Sequence, residues 1–218
     1  KLGRYAEAIV DYTKAIELFQ NNDSRPYLMR GRSYARDGQF DSALKDFNKA
    51  ISADPETPIF YYERGWLYCD TKRLDLAVAD FKMAIQLDKD LIVDEYSWLE
   101  IRFVTFHNLA DESYFALGVC YYRQEKYREA FENLGFIKNV GLLQSDFYSL
   151  RGHCYNKLGE HEKAIKDLNR HLMCSDDFYS AHFEVRGDSY GALGDLEKRD
   201  RDHKAAAYIL HLEKTAPE

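Results

Sequence analysis

Arginine and aspartate recur in this chain at a fixed separation, which makes them the first candidates for chemistry. Four arginines, each directly before a glycine, are followed sixteen residues later by an aspartate. The pairs are Arg30 with Asp46, Arg64 with Asp80, Arg151 with Asp167 and Arg186 with Asp202. At a fifth equivalent place both charges are absent, and Leu117 and Asn133 stand there instead. Because the charges appear and disappear together, we predict four structural salt bridges. Catalysis does not require four equivalent sites.

The remaining reactive side chains form no recognisable catalytic or metal-binding motif. The chain has no Gly-rich phosphate loop, no nucleophile elbow and no HExxH helix. His153, His161 and His171 are the histidines closest in sequence, but ten residues of helix turn through about 1000°, which leaves the last two about 80° apart. We therefore predict no catalytic residues, no metal and no cofactor, with the histidines at the surface or in packing contacts.

The four cysteines, Cys69, Cys120, Cys154 and Cys174, contain no CxxC pair and no zinc-type histidine spacing. Cys120 and Cys154 hold the same place in neighbouring copies of the repeat described next. Packed helices lie about 8–10 Å apart, which exceeds the usual reach of a disulfide between equivalent positions. The sequence therefore predicts reduced thiols.

All of these residues are set in one internal repeat, in which an aromatic residue, a glycine and a tyrosine follow the spacing i, i+4, i+7. Tyr27, Gly31 and Tyr34 form the first full copy. The glycines of five copies are 34, 53, 34 and 35 residues apart, so one insertion of about nineteen residues interrupts a steady period. Two amphipathic helices in each copy, packed closely at the glycine, explain this pattern.

The pattern resembles the tetratricopeptide repeat (TPR). The copy over 24–56 matches it through seven positions: Tyr27, Gly31, Tyr34, Ala43, Phe47, Ala50 and Pro55. The resemblance implies an all-α fold, a right-handed α-solenoid (superhelix) of stacked helix hairpins, because one hairpin cannot bury its own apolar face. We expect a single array over 1–218, with a half-repeat, five repeats of which the last is a C-terminal cap, and a helical insertion at 92–110. The half-repeat covers 1–23, and the repeats cover 24–57, 58–91, 111–144, 145–179 and 180–213.

In TPR proteins the first helix of each repeat lines a concave groove, so the resemblance implies a binding surface at the matching positions here. The candidate peptide-binding residues are Arg32, Arg36, Tyr62, Trp66, Phe115, Val119, Tyr122, Arg123, His153 and Asn156. Aromatic residues dominate the middle of this set, where a solvated face is ordinarily polar, and an apolar patch with polar edges suits a peptide anchor. We expect Arg32, Arg36 and Arg123 to steer the bound segment.

The predicted function is a noncatalytic adaptor that holds a segment of an unidentified partner protein in this groove. One alternative is a self-assembling subunit, a homo-oligomer that uses the insertion and an exposed half-repeat; another is the targeting module of a larger enzyme. The aromatic groove residues can instead pack against the insertion, whose apolar residues recur at helical spacing.

Composition narrows the class of partner. The 218 residues carry a net charge of −7, which argues against a nucleic-acid surface. No apolar run reaches the roughly 18 residues that span a bilayer. A cytoplasmic location is the default expectation, and a periplasmic or membrane-anchored protein stays open because the chain starts in mid-pattern at Lys1.

Overall fold

The computed structural model describes residues 2–19, 23–90, 109–175 and 179–215. Within these ranges the regular elements are eleven α-helices and one short 3₁₀ helix, with no strand, so the predicted all-α repeat fold is confirmed. The helices are α1 (Leu2–Phe19), α2 (Arg25–Arg36), α3 (Phe40–Ala53), α4 (Pro58–Asp70), α5 (Leu74–Asp90), α6 (Leu109–Arg123), α7 (Tyr127–Leu134), α8 (Gln144–Lys157), α9 (His161–Cys174), α10 (Ser180–Ala192) and α11 (Leu196–Thr215).

The chain divides into two compact units, unit 1 over 1–120 and unit 2 over 121–218. In unit 1, α1 packs on α2, and α2–α3 and α4–α5 form hairpins. In unit 2, α8–α9 and α10–α11 form the corresponding hairpins. The division of the chain into repeats of one array stays a prediction.

A residue with left-handed backbone ends the first helix of each hairpin, seven residues after the repeat glycine. Gly38, Gly159 and Gly194 adopt φ of 78°, 79° and 81° there. Lys72 and Glu125 hold the same place with φ of 60° and 61°. Glycine adopts this conformation without steric cost, whereas the two side chains are accommodated with some strain.

The repeat glycines permit close packing between the two helices of a hairpin. A Cβ atom at Gly31 would lie 2.7 Å from a ring carbon of Phe47, and one at Gly65 would lie 2.8 Å from a ring carbon of Phe81. Ala43 and Ala77, on the second helices, are completely buried. The small residues therefore stand where the sequence places the helix contacts, and the large aromatic rings fill the space beside them.

Four bidentate ion pairs connect the first and second helices of hairpins, and they are formed by the four Arg and Asp pairs that the sequence predicts. Arg64 Nε and Nη2 donate to the two carboxylate oxygens of Asp80, both at 2.8 Å. The equivalent shortest distances are 2.7 Å for Arg30 with Asp46, 2.6 Å for Arg151 with Asp167 and 2.7 Å for Arg186 with Asp202. The four aspartates are buried. Arg64 Nη1 also donates to Asn48 Oδ1 of α3 at 2.7 Å, a bond to the preceding hairpin that the sequence did not indicate.

Two further expectations concern the insertion and α1. Most of the insertion predicted at 92–110 lies outside the described residues; Leu109 and Ala110 begin α6, where Asp88 Oδ2 accepts the Ala110 N–H at 2.9 Å. The apolar side of α1, predicted to be exposed, is half-buried at Tyr5, Ala8, Ile9 and Tyr12. Among the described helices, none is long and apolar enough to cross a bilayer.

Candidate functional site

A cavity of about 230 Å³ in unit 1 is the candidate site. Helices α2 and α4 supply most of its lining, and α3 and α6 contribute one side chain each. Apolar and charged side chains share the wall. The lining residues are Arg32, Ala35, Arg36, Phe47, Ile59, Tyr62, Glu63, Trp66, Leu67, Asp70 and Glu112.

Two half-buried aromatic rings from one turn of α4 form the apolar side of the cavity. Tyr62 and Trp66 are four residues apart, so both lie on the same helix face. Their ring centroids are 6.3 Å apart and the rings meet edge to face at 83°. Both rings also contact the buried ring of Phe81, at 5.9 Å for Tyr62 and 5.6 Å for Trp66. Packing on Phe81 thus fixes the two rings, and each ring remains partly accessible, as a preformed anchor site requires.

Polar interactions connect these rings to a carboxylate. The Tyr62 hydroxyl interacts with the Trp66 indole and with the Glu112 carboxyl on α6. Burial raises the pKa of the Glu112 carboxyl, and the negative charge of Glu63 raises it further, while the interaction with Tyr62 opposes both. Burial also raises the pKa of the Tyr62 hydroxyl. Glu112 therefore presents a partly desolvated acidic group to the cavity.

The polar rim of the cavity is partly neutralised. Arg32 Nη2 lies 2.6 Å from Glu63 Oε1, in an ion pair between α2 and α4. Arg36 and Asp70 are exposed, each near the end of its helix. Arg32, which the sequence assigned to steering, is thus committed to an internal pair, and Arg36 contributes the remaining positive charge of the lining.

Four of the ten predicted groove residues line this cavity together: Arg32, Arg36, Tyr62 and Trp66. Phe115 and Val119 lie further along α6; Phe115 is buried, and neither is part of the cavity lining among the described residues. Glu112 was not among the predicted residues because it lies on the first turns of α6, six residues before the repeat glycine. The sequence feature that could have indicated it is an acidic residue close to the aromatic residues Tyr114 and Phe115.

The other predicted groove residues lie in unit 2, where internal contacts occupy several of them. Tyr122 stacks on His153 with ring centroids 6.1 Å apart and an interplanar angle of 30°. Asn156 Nδ2 donates to Ser189 Oγ at 2.9 Å and to the Val185 carbonyl at 3.3 Å. Arg123 is exposed at the end of α6.

A buried histidine cluster in unit 2 was not anticipated. His171 and His182 are joined by a 3.0 Å hydrogen bond between Nε2 and Nδ1, and His182 Nε2 lies 2.9 Å from Ser149 Oγ. The His153 ring is 5.4 Å from that of His182. Burial lowers the pKa of His153 to about 4 and that of His182 to about 3, with the neighbouring histidines adding to both effects.

The sequence missed this cluster because His182 belongs to the next repeat, eleven residues from His171. The ten-residue separation of His161 and His171 gave no indication of it. Among the described residues no group of three or more His, Cys, Asp or Glu side chains is arranged to hold a metal ion. We interpret the cluster as a packing unit in which a hydrogen bond joins His171 to His182.

The paired helices and the repeat glycines define an all-α helical-repeat protein. Two models described as tetratricopeptide repeat match the chain, one over 28–91 and the other over 1–22 and 145–172. The chain belongs to the tetratricopeptide repeat family, as the sequence predicted. Members of this family are generally noncatalytic protein-interaction scaffolds, and the fold supports that class here.

Two curated relatives carry the name DnaJ homolog subfamily C member 3. The protein from Gallus gallus is 28% identical over 213 residues, which cover 93% of this chain and 34% of that protein. The protein from Bos taurus is 25% identical over 224 residues, which cover 84% of this chain and 44% of that protein. The chain spans less than half the length of the curated relatives that it matches.

Solved structures share the fold at lower identity. YrrB, described as a TPR protein with an unusual peptide-binding site, has a TM-score of 0.68 and 20% identity, with 93% of this chain and 97% of that chain covered. PilW, described as a type IV pilus biogenesis factor, has a TM-score of 0.71 and 14% identity, with coverages of 92% and 84%. BtubC from P. vanneervenii has a TM-score of 0.69 and 15% identity, with coverages of 100% and 92%.

Proposed function

We propose that this chain is a noncatalytic scaffold that binds a segment of a partner protein in the unit 1 cavity. The observation that supports this most is the combination of Tyr62 and Trp66 with the partly desolvated Glu112 carboxylate in one preformed cavity. The family class favours protein partners. The wider groove predicted from the sequence, through Phe115, Val119, Tyr122, Arg123, His153 and Asn156, stays a prediction.

The lining of the cavity favours a segment with an apolar side chain next to a basic one. An apolar side chain would pack on the edge-to-face rings of Tyr62 and Trp66, which supply contact area with little loss of rotamer freedom. The Arg32–Glu63 pair is internally neutral, and Asp70 and Glu112 outnumber Arg36. A cation beside Glu112 would stabilise its charged form, so a basic group fits this side better than an acidic one.

A displayed library of random linear peptides, selected on the intact chain, tests this function. We expect the enriched peptides to contain an apolar residue beside Lys or Arg. Trp66→Ala should weaken their binding at least about tenfold, which corresponds to a loss of about 1.4 kcal/mol. Glu112→Gln should weaken the binding of peptides that contain a basic residue. Its effect should be smaller on peptides in which that residue is replaced by alanine.

The matched control is Tyr208→Ala, which removes an exposed aromatic residue from α11 in unit 2. It should leave peptide binding unchanged. Circular dichroism of each variant verifies that its helices are retained. Failure to enrich any peptide, or equal binding by wild type and a folded Trp66→Ala variant, would contradict binding at this cavity.

The alternatives named from the sequence differ in what they predict. A self-assembling subunit would show a molar mass that rises with concentration in light scattering, and a peptide-binding scaffold does not require this. The greater length of the curated relatives is compatible with a module of a larger protein. Whether that protein is an enzyme is a further proposal, which peptide binding alone does not decide.

A further inference from the structure

Two cysteine thiols meet in the core of unit 1. Sγ of Cys69, on α4, lies 2.8 Å from Sγ of Cys120, on α6, although 51 residues separate them in sequence. Both residues are buried, with exposures of 2% and 0%. A disulfide bond is about 2.05 Å long, so a movement of less than about 1 Å would bring the sulfurs to bonding distance.

The register of the repeats explains why these two side chains face each other. Cys69 stands four residues after the glycine of its repeat, and Cys120 stands two residues after the glycine of the next repeat. In unit 2, Asn156 and Ser189 hold the same two places, and they form the 2.9 Å hydrogen bond described above. The contact between these places thus occurs in both units, with different side chains.

The contact joins different places from the two that the sequence comparison considered. Cys120 and Cys154 occupy equivalent places in their repeats, whereas the structure pairs the fourth place of one repeat with the second place of the next. In the repeat that precedes Cys154, the fourth place after the glycine holds Tyr122, and Tyr122 and Cys154 interact electrostatically. Cys154 therefore faces a phenol where Cys120 faces a thiol.

We propose that Cys69 and Cys120 are a disulfide-forming site, oxidised by a small-molecule or protein disulfide. With glutathione disulfide, one cysteine thiolate attacks a glutathione sulfur and releases one glutathione thiolate, leaving a mixed disulfide. The second cysteine, as its thiolate, attacks the protein sulfur of that mixed disulfide and releases the second glutathione. Two S–H protons leave, one S–S bond forms in the protein, and the two electrons reduce glutathione disulfide to two thiols.

This bond would covalently connect α4 to α6. Helix α4 carries Tyr62 and Trp66, and α6 carries Glu112, so oxidation would fix two walls of the cavity relative to each other. The cross-link restricts the unfolded chain over the intervening 50 residues and should raise the melting temperature. The inference depends on the thiol geometry alone and does not require that the cavity bind a peptide.

The test uses the full chain with Cys154→Ala and Cys174→Ser, so that only the proposed pair remains. The reduced, unfolded chain is refolded in a buffer of reduced and oxidised glutathione, because the folded core excludes the oxidant from both sulfurs. We expect the intact mass to fall by two hydrogen atoms and peptide mapping to join Cys69 to Cys120. N-ethylmaleimide, added after denaturation without reductant, should then label neither cysteine.

A matched chain with Cys69→Ser and Cys174→Ser keeps Cys120 and Cys154 as the only pair, and we expect no intramolecular disulfide in it. Circular dichroism confirms that both chains refold. The proposal is overturned if the refolded Cys69/Cys120 chain takes two labels, or if Cys120 and Cys154 cross-link as completely as the proposed pair. If the substituted chains do not fold, peptide mapping of the refolded wild-type chain shows whether Cys69 is joined to Cys120.

Discussion

The same helix face is used differently in the two units. In unit 1, the places three residues before and one residue after the repeat glycine hold Tyr62 and Trp66, which line a cavity. In unit 2, Ser149 and His153 hold these places. Ser149 is hydrogen-bonded to the buried histidine cluster, and His153 packs between Tyr122 and His182.

This difference shows that the position of a residue in the repeat determines the helix face on which its side chain lies. The position does not determine which neighbouring residues pack against that side chain. At the fourth place after the glycine, Asn156 is bonded within unit 2, while Cys69 of unit 1 contacts another thiol. The rings of Tyr62 and Trp66 border an open cavity, whereas Ser149 and Asn156 are hydrogen-bonded to α10. A binding face therefore requires both the register and a neighbour that does not fill it.

The ion pairs are common to both units, and removing one should have the largest effect. Arg64→Leu leaves the buried Asp80 carboxylate without its bidentate partner and should lower the free energy of unfolding by about 1–3 kcal/mol. Urea denaturation monitored by circular dichroism measures this change.

The repeat with Leu117 and Asn133 supplies the control for that experiment. The double variant Arg64→Leu/Asp80→Asn copies it, and we expect the double variant to be more stable than Arg64→Leu alone because no carboxylate is left unpaired. If Arg64→Leu unfolds at the wild-type urea concentration, the ion pair is not a structural element.

Mild acid should destabilise unit 2 through its buried histidine cluster. His153 and His182 have pKa values of about 4 and about 3 when folded, below the usual value of 6.5, so the unfolded chain binds protons that the folded chain does not. The stability that these two rings contribute is full above pH 6.5 and is lost as the pH falls from 6.5 towards their folded pKa values of about 4 and about 3, by up to about 2 kcal/mol for each ring at pH 5. The groups that face these rings are His171, Lys157, Tyr122, Tyr179 and Ser149.

Urea unfolding at pH 7.5 and at pH 5 measures this loss, and His153→Phe is its control. Phenylalanine keeps a ring against Tyr122 but cannot take up a proton, so the variant should lose less stability between the two pH values than wild type. An equal pH-dependent loss in both chains would assign the effect to carboxyl groups instead of the histidine cluster.

The smallest expected effect concerns the turn residues. Lys72 adopts φ of 60° where other repeats have glycine, and Lys72→Gly should remove part of this backbone strain. Because glycine also loses more entropy on folding, we expect a net gain of about 0.5 kcal/mol in the free energy of unfolding. Gly38→Lys, the reverse change in unit 1, should reduce stability, and a loss of stability in both variants would contradict this interpretation.

Much of the fold was predictable because the signals repeat. The glycine, tyrosine and alanine residues that recur at fixed positions indicated the helix pairs, which the structure contains. Arg and Asp covary in sequence, so their separation pointed to the four ion pairs. The regular period predicts such contacts within one repeat well, because each partner lies at a constant distance along the chain.

Contacts between repeats were harder to predict. Glu112, the Cys69–Cys120 contact and the histidine cluster each depend on which column of one repeat faces which column of the next. That offset arises from helix packing and has no counterpart in the period of a single repeat. Arg32 shows the same gap, because its partner Glu63 belongs to the following repeat.

Photo-cross-linking at two equivalent places measures the difference between the units most directly. Asp70 lies at the edge of the unit 1 cavity, and Lys157 holds the same place in unit 2, five residues after the repeat glycine; both are exposed. Benzoylphenylalanine is introduced at each in turn, and the chains are irradiated with a peptide enriched from the library. Binding at the cavity predicts an adduct at position 70 and little at position 157. Equal adducts at both places, or an adduct at position 157 alone, would contradict it.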